Sequence, residues 1–232
     1  MSSSKNFAYI TFADLVARSA YQMGKTPLLP IFAAMLGASG PFLGFIVSVS
    51  TLTGMVLKPV VGILSDRWGR RSWLIVGTAF FAAMPFVYRF VQTPEQLFVI
   101  RLVHGLATAI YGPVTLAYVA EQNRQRRAEK LGWFSMARSA GYIVGPAAAG
   151  WLLLSMGPVG VFTIIGVMSS LVFVPILLLP ESPVERAKQQ SLARQMVYAL
   201  RAGSHTPAVW LSGGLESMTY VALYAVKAFL PI

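Results

Sequence analysis

Seven apolar runs of about 20 residues, each long enough to cross some 30 Å of hydrocarbon, constrain this chain more than any other feature. They are Phe7–Phe32, Phe42–Leu64, Ser72–Val91, Gln96–Ala120, Leu131–Ser155, Val159–Leu179 and Ala208–Ile232. Composition agrees. Hydrophobic residues make up 56% of the 232 and charged ones 12%, against about 25% charged in soluble proteins. A soluble domain of this size cannot hide that much apolar surface, so the expected solvent is lipid and the expected fold is an all-α transmembrane bundle. The first run is not a cleavable leader, because Asp14 and Arg18 interrupt it and no small-residue cleavage site follows cleanly.

The connections alternate. Ala33–Pro41 and Ser155–Pro158 are short and uncharged, and Val91–Glu95 is short with Arg89 just inside its helix end. The others are basic: Asp66–Arg71, Asn123–Lys130 and Glu181–Pro207. One side collects Lys5, Arg67, Arg70, Arg71, Arg124, Arg126, Arg127, Lys130, Arg186, Lys188, Arg194 and Arg201, and the other only Arg89. The positive-inside rule then puts the N-terminus and the basic loops in the cytoplasm. The formal charge of +11 therefore reads as topology rather than nucleic-acid binding. In Glu181–Pro207, Leu192, Met196, Val197 and Leu200 have helical spacing between basic residues, which predicts a short amphipathic helix at the cytoplasmic interface. The expected domains are a six-helix bundle over 1–180, a cytoplasmic central loop over 181–207, and over 208–232 the first helix of an incomplete second bundle. An odd helix with no flanking anchor suggests a truncated chain whose missing C-terminal half would be its partner.

Charges within apolar runs are functional candidates, because the bilayer centre penalises them. Asp14, Arg18, Tyr21 and Lys25 fall within about 60° of one another on a helix of 100° per residue. They form one polar stripe that should face a bundle interior or a water-filled cavity, although Asp14 and Arg18 alone also make an i,i+4 ion pair. Span 4 has a similar stripe: Arg101, His104, Thr108, Tyr111 and Thr115. Arg101 lies near the helix start and can alternatively snorkel outward; His104 titrates near neutrality when unperturbed, or serves as a helix–helix hydrogen-bond partner. Span 7 carries Glu216 and Lys227, eleven apart like Asp14 and Lys25, the spacing a parallel repeat would leave. Gly141–Gly150 reads as a small-xxx-small face with a proline kink at Pro146. Pro27-Leu-Leu-Pro30 is expected to end span 1.

The turn between spans 2 and 3 reads GILSDRWGRR, Gly62 to Arg71. It resembles the Gly-x-x-x-Asp-Arg-x-Gly-Arg-Arg signature of the major facilitator superfamily. Leu97–Gly105 resembles the family's span-4 motif, with Arg101 at its basic position, His104 in place of the usual Gln and Ala107 in place of a Gly. Gly141–Gly150 resembles the antiporter-associated motif of span 5, with Gly141, Gly145, Pro146 and Gly150 matching and Ala149 departing from it. Pro180-Glu-Ser-Pro183 resembles the usual end of span 6.

The resemblance implies two six-helix halves that rock about a central substrate, driven by protons, and is nearest to the drug:proton antiporters of the plasma (bacterial inner) membrane. On that mechanism the embedded carboxylates Asp14 and Glu216 are the proton-coupling candidates, because burial can shift when each holds its proton, with Arg101 resembling the family's basic residue and His104 beside it; the polar residues Arg18, Tyr21, Gln22, Lys25, Thr108, Tyr111 and Tyr142 are the candidates for lining the substrate cavity. Aromatic walls would suit amphiphilic cations or neutral drugs. The resemblance also implies a cytoplasmic gate of Gly62, Asp66, Arg67, Gly69, Arg70, Arg71 and Glu121, with Gly62 and Gly69 allowing close packing and a tight turn. An uptake symporter or facilitator on the same fold, or a non-transporting membrane fragment, stays open beside efflux. An enzyme is not expected. The two histidines lie in different environments, there is no cysteine, no carboxylate pair sits near a nucleophile, and no phosphate-binding glycine loop is present. Neither cofactor nor metal is expected.

Overall fold

The computed structural model describes residues 3–122, 125–181 and 191–229. Arg124, Ser182, Pro183, Arg186 and Lys188, used above for topology and for the span-6 motif, lie outside these, as does the side chain of Lys227. The described residues are all helical apart from turns. Contacts divide the chain into two units, residues 1–187 and 188–232.

The first unit is a bundle of six long helical segments: α1 (Ser3–Met23) continued by α2 (Leu29–Met35), α3 (Gly40–Trp68), α4 (Arg70–Val87), α5 (Pro94–Gln122), α6 (Arg127–Leu153), and α7 (Pro158–Leu171) continued by α8 (Phe173–Leu177). Each extends close to or past the apolar run that predicted it. Pro27–Pro30 does not end span 1. A π-helical turn over Gly24–Leu28, with Thr26 in an extended conformation, kinks the helix there, and it resumes as far as Met35. The Pro27 nitrogen carries no hydrogen to donate to the preceding turn, while Pro30 sits in the first turn of α2, where no donor is needed. The helix finally stops at Gly37, whose φ of 85° allows the Gly37 and Ala38 amides to donate back to the carbonyls of Ala34 and Ala33.

Four segments are long and apolar enough to cross a membrane on length and composition alone: Gly40–Trp68, Arg70–Phe90, Pro94–Gln122 and Pro158–Leu177. α1 and α6 fall short of that criterion because Asp14, Arg18, Arg138 and their polar neighbours dilute them.

Within the bundle α1 lies along α6, α3 and α4 flank α5, and α4 packs on α7. Two hydrophobic clusters fill the interior. One joins Ile10, Ala17, Leu74, Phe81, Tyr111, Val114 and Phe134; the other joins Met23, Leu29, Phe32, Ile46, Tyr88 and Phe162. Phe45, Met55, Trp133, Ile143, Trp151 and Leu154 point outward and stay exposed, the reverse of a soluble protein's pattern and the surface a lipid solvent calls for.

Close helix approach is concentrated at a few glycines. A Cβ at Gly145 would sit 2.5 Å from the Ser19 carbonyl oxygen and 3.1 Å from the Met23 nitrogen, and one at Gly105 would sit 2.9 Å from the Ser50 carbonyl oxygen. Gly141 also faces the α1 backbone, at 3.2 Å from the Leu15 oxygen. Gly150 and Gly62 have nothing within 4 Å. The packing face expected over Gly141–Gly150 is therefore confined to Gly141 and Gly145, and Gly62 makes no close approach among the described residues.

The second unit holds α9 (Leu192–Ser204) and α10 (Pro207–Phe229). Ser191 caps α9 by accepting from the Arg194 amide. The Trp210 indole N–H closes the corner on the Ser204 carbonyl at 2.7 Å.

Candidate functional site

The polar stripe of α1 diverges once its neighbours are in place. Asp14 is 1% exposed. It accepts two hydrogen bonds from the Arg138 guanidinium of α6, at 2.8 and 2.9 Å, and Arg18 stands 3.6 Å away on its other side. Arg138 spends a further donor on the Thr115 hydroxyl at 2.9 Å and lies over the Phe134 ring at 4.7 Å. The fork geometry matches both carboxylate oxygens at once, the arrangement in which a charge-assisted pair is strongest. One buried carboxylate thus ties α1 to α6 and, through Thr115, to α5.

Farther along the stripe, Tyr21 turns toward α3. Its hydroxyl lies 3.4 Å from the Ser50 hydroxyl, and its ring meets Phe81 and His104 edge-on. Lys25 reaches Thr51 of α3 at 3.3 Å. Gln22 is half-buried at the α1–α6 seam, its Cβ 2.9 Å from where a Cβ on Gly145 would stand.

The α5 stripe is enclosed. Arg101 is 2% exposed and does not snorkel outward; its guanidinium donates to the Ile46 and Val47 carbonyls at 3.4 Å and to the Ser50 hydroxyl. The Ile46 and Val47 carbonyls belong to α3, so the arginine is clamped in the α3–α5 seam. His104 Nδ1 pairs with the Tyr88 hydroxyl at 2.9 Å. Its Nε2 and the Ser169 hydroxyl have no partner among the described residues, and both residues line a small internal cavity of about 10 Å³ with Tyr21, Tyr88 and Arg101, room for about one water. Thr108 and Tyr111, expected to face a substrate cavity, are both enclosed in the helix seams. Thr108 donates to the Gly105 and Ser50 carbonyls of the helix seam, and Tyr111 is fully buried against Thr78 and Phe81.

The charged turn forms a compact cluster at one end of the bundle. Gly69 has φ 90°, a conformation that costs an L side chain energy, and it sets the break between α3 and α4. Arg70 then donates to both Glu121 oxygens, at 2.8 and 2.5 Å, and pairs with Asp66 at 2.7 Å. It also reaches the Ser65 hydroxyl. Arg71 takes a different partner, the Leu177 carbonyl at the end of α8, at 2.8 Å. Arg67 lies in the last turn of α3.

Glu216 lies on α10 in the second unit and is exposed there. Tyr142, one turn from Arg138 on α6, is 41% exposed. Pro146 sits inside α6 one residue beyond the Gly145 contact.

Two residues escaped the sequence reading. Arg138 and Lys58 both lie deep in apolar runs, so the rule that singled out Asp14 and Arg101 applies to them equally. Both were passed over because no stripe of polar neighbours marks them. Ser50, which receives Arg101, carries no sequence signal at all.

The sequence profile of the Major Facilitator Superfamily matches residues 15–232. Multidrug resistance protein 1 of Bacillus subtilis is 32% identical over 127 residues, 54% of this chain and 33% of that protein. An uncharacterised MFS-type transporter of Methanocaldococcus jannaschii is also 32% identical over the same shares. Quinolone resistance protein NorA of Staphylococcus aureus is 25% identical over 127 residues, again 54% and 33%. The matched stretch spans about a third of the length of these relatives.

Proposed function

The chain belongs to the major facilitator superfamily, and from that premise we propose that the protein moves a small organic solute across a membrane by alternating access, outward and in exchange for protons. The observation that carries the proton coupling is the Asp14–Arg138 pair. A carboxylate buried between two helices is held by a bidentate guanidinium, with Arg18 at 3.6 Å on its other side. Adding a proton to Asp14 removes its charge and weakens its hold on Arg138, and the polar tie between α1 and α6 is loosened. Losing the proton draws them together again. Protonation and helix separation are in this way two descriptions of one event. Glu216 is the second candidate carboxylate. Arg101 in the α3–α5 seam and His104, which faces Tyr21, Phe81 and Tyr88, are the further candidates that can respond to that movement.

The Asp66–Arg70–Glu121 cluster supports a latch. Arg70 is held firmly by Glu121, while the Asp66 side chain is 53% exposed and can exchange Arg70 for another partner as the helices rock. We place this end, with its arginines, in the cytoplasm by the positive-inside rule. Outward transport is supported by the similarity to resistance proteins and by the Gly141–Gly145–Pro146 segment, whose two glycines seat α6 directly on α1.

The test is proton-coupled flux in liposomes reconstituted with the protein as its gene encodes it, across a panel of organic solutes. Asp14→Asn is expected to abolish proton-driven flux, and Asp14→Glu to retain part of it. Undiminished proton-driven flux in Asp14→Asn overturns the coupling role.

A further inference from the structure

The membrane segments of the first unit contain a marked imbalance of charge. Away from the helix ends, the apolar runs hold Arg18, Lys25, Lys58, Arg101 and Arg138 but a single carboxylate, Asp14; Arg89, Asp66, Glu95 and Glu121 sit at the ends of their helices. Arg101 is absorbed by the α3–α5 seam. The other four cations converge on one face built by α1, α3, α5 and α6. Lys58 Cε and Arg18 Nη2 lie 3.6 and 3.9 Å from the position a Cβ would occupy on Gly112 of α5, so both reach the same spot on that helix. Thr115, one turn along from Gly112, receives Arg138. Arg138 and Arg18 share Asp14. Lys25 reaches Thr51, seven residues from Lys58 on α3 and hence on the same face.

Asp14 cannot balance this group. Its two oxygens are already taken by Arg138. Arg18 Nε is buried without a hydrogen-bond partner among the described residues. Lys58 is exposed on α3, and no ion pair or hydrogen bond reaches its ammonium among the described residues. An unpaired ammonium within a membrane segment is costly and is retained where a pathway needs it. Gly112 leaves the floor of the face open, and Tyr142, half-exposed one turn from Arg138, offers an aromatic wall.

We infer that this face binds an organic anion, with Lys58 and Arg18 taking its carboxylate, sulfonate or phosphate oxygens and Tyr142 its apolar body. The inference rests on the transport reading and sharpens it by naming the charge of the solute. It runs against the amphiphilic cations suggested by aromatic residues alone, because a cationic solute would enter a field already in excess of positive charge.

Fluorescein and rhodamine 6G share a xanthene body and carry opposite charges at mildly alkaline pH. Their binding to the purified protein in neutral maltoside micelles is measured by fluorescence anisotropy. Fluorescein is expected to bind at least ten times more tightly. Lys58→Gln is expected to weaken it at least tenfold, which one unit charge would supply even from some 10 Å at an effective dielectric near 20. Thermal unfolding should change little, because no ion pair or hydrogen bond of the Lys58 ammonium is lost among the described residues and glutamine keeps most of the stem that reaches Gly112. Lys58→Glu should weaken fluorescein binding further than Lys58→Gln and narrow the preference between the two dyes. Equal or tighter rhodamine 6G binding, or fluorescein binding indifferent to both Lys58 variants, overturns the anion site. Dye flux in liposomes separates the two readings. Binding that depends on Lys58 without flux of either dye removes the transport reading and leaves the anion site standing. Flux without charge preference removes the anion site alone.

Discussion

Replacing Arg138 with glutamine removes the charge that holds Asp14 and shortens the fork that spans both of its oxygens. The native guanidinium makes two bonds to the carboxylate at 2.8 and 2.9 Å and one to Thr115 at 2.9 Å. Without them Asp14, 1% exposed, keeps only Arg18 at 3.6 Å. Breaking one side of a buried pair leaves an uncompensated charge and typically costs about 3–5 kcal/mol. Arg18 is close enough to take up part of that load, so a loss of about 2–4 kcal/mol is expected. Asp14→Asn alone strands Arg138 in the same way, but Arg138 is more exposed than Asp14, and its loss should be smaller. The double variant Asp14→Asn/Arg138→Gln replaces the pair with neutral amides of similar reach and should recover much of the stability. Equilibrium unfolding in mixed detergent micelles supplies the three differences. A coupling energy above about 1 kcal/mol is expected for residues in direct contact. Additivity within about 0.5 kcal/mol would mean that the pair does not couple α1 to α6, and the protonation-linked separation would lose its physical basis.

Gly145→Ala should destabilise the protein by about 1–3 kcal/mol, because its Cβ would meet the backbone of α1 at 2.5 Å. Gly150→Ala, with open space around it, should be nearly neutral, and thermal unfolding of the two variants in parallel checks the contrast. Asp66→Ala should leave stability within about 1 kcal/mol, since an exposed ion pair contributes little and Arg70 keeps Glu121. The same variant should impair solute flux in liposomes, and normal flux would reduce the charged turn to a topology signal.

Much of the fold was legible because membrane insertion is decided locally. A run of about 20 apolar residues must span and must satisfy its own backbone as a helix. The six segments of the bundle and α10 accordingly fall where the runs predict them, and the break at Gly69 falls in the charged turn. The Arg70–Glu121 pair was legible too, because both residues lie at the same end of neighbouring helices. Gly62 and Gly150 have nothing within 4 Å among the described residues: a glycine in a small-residue pattern shows that close approach is possible, and only a facing backbone makes it real.

The hydrophobic period and the interior charges by themselves determined that this chain is a bundle of helices with an unusual polar interior. They could not determine who meets whom. Asp14 and Arg138 are 124 residues apart, and Arg101 and Ser50 are 51 apart. A helical wheel shows which residues share a face, but the members of one face can be claimed by different neighbours. In α1 they are: Asp14 goes to α6, Tyr21 and Lys25 to α3. The tertiary structure made that division. With water excluded from the interior, each buried charge must find its partner within the protein, and helix packing alone sets which partners are within reach.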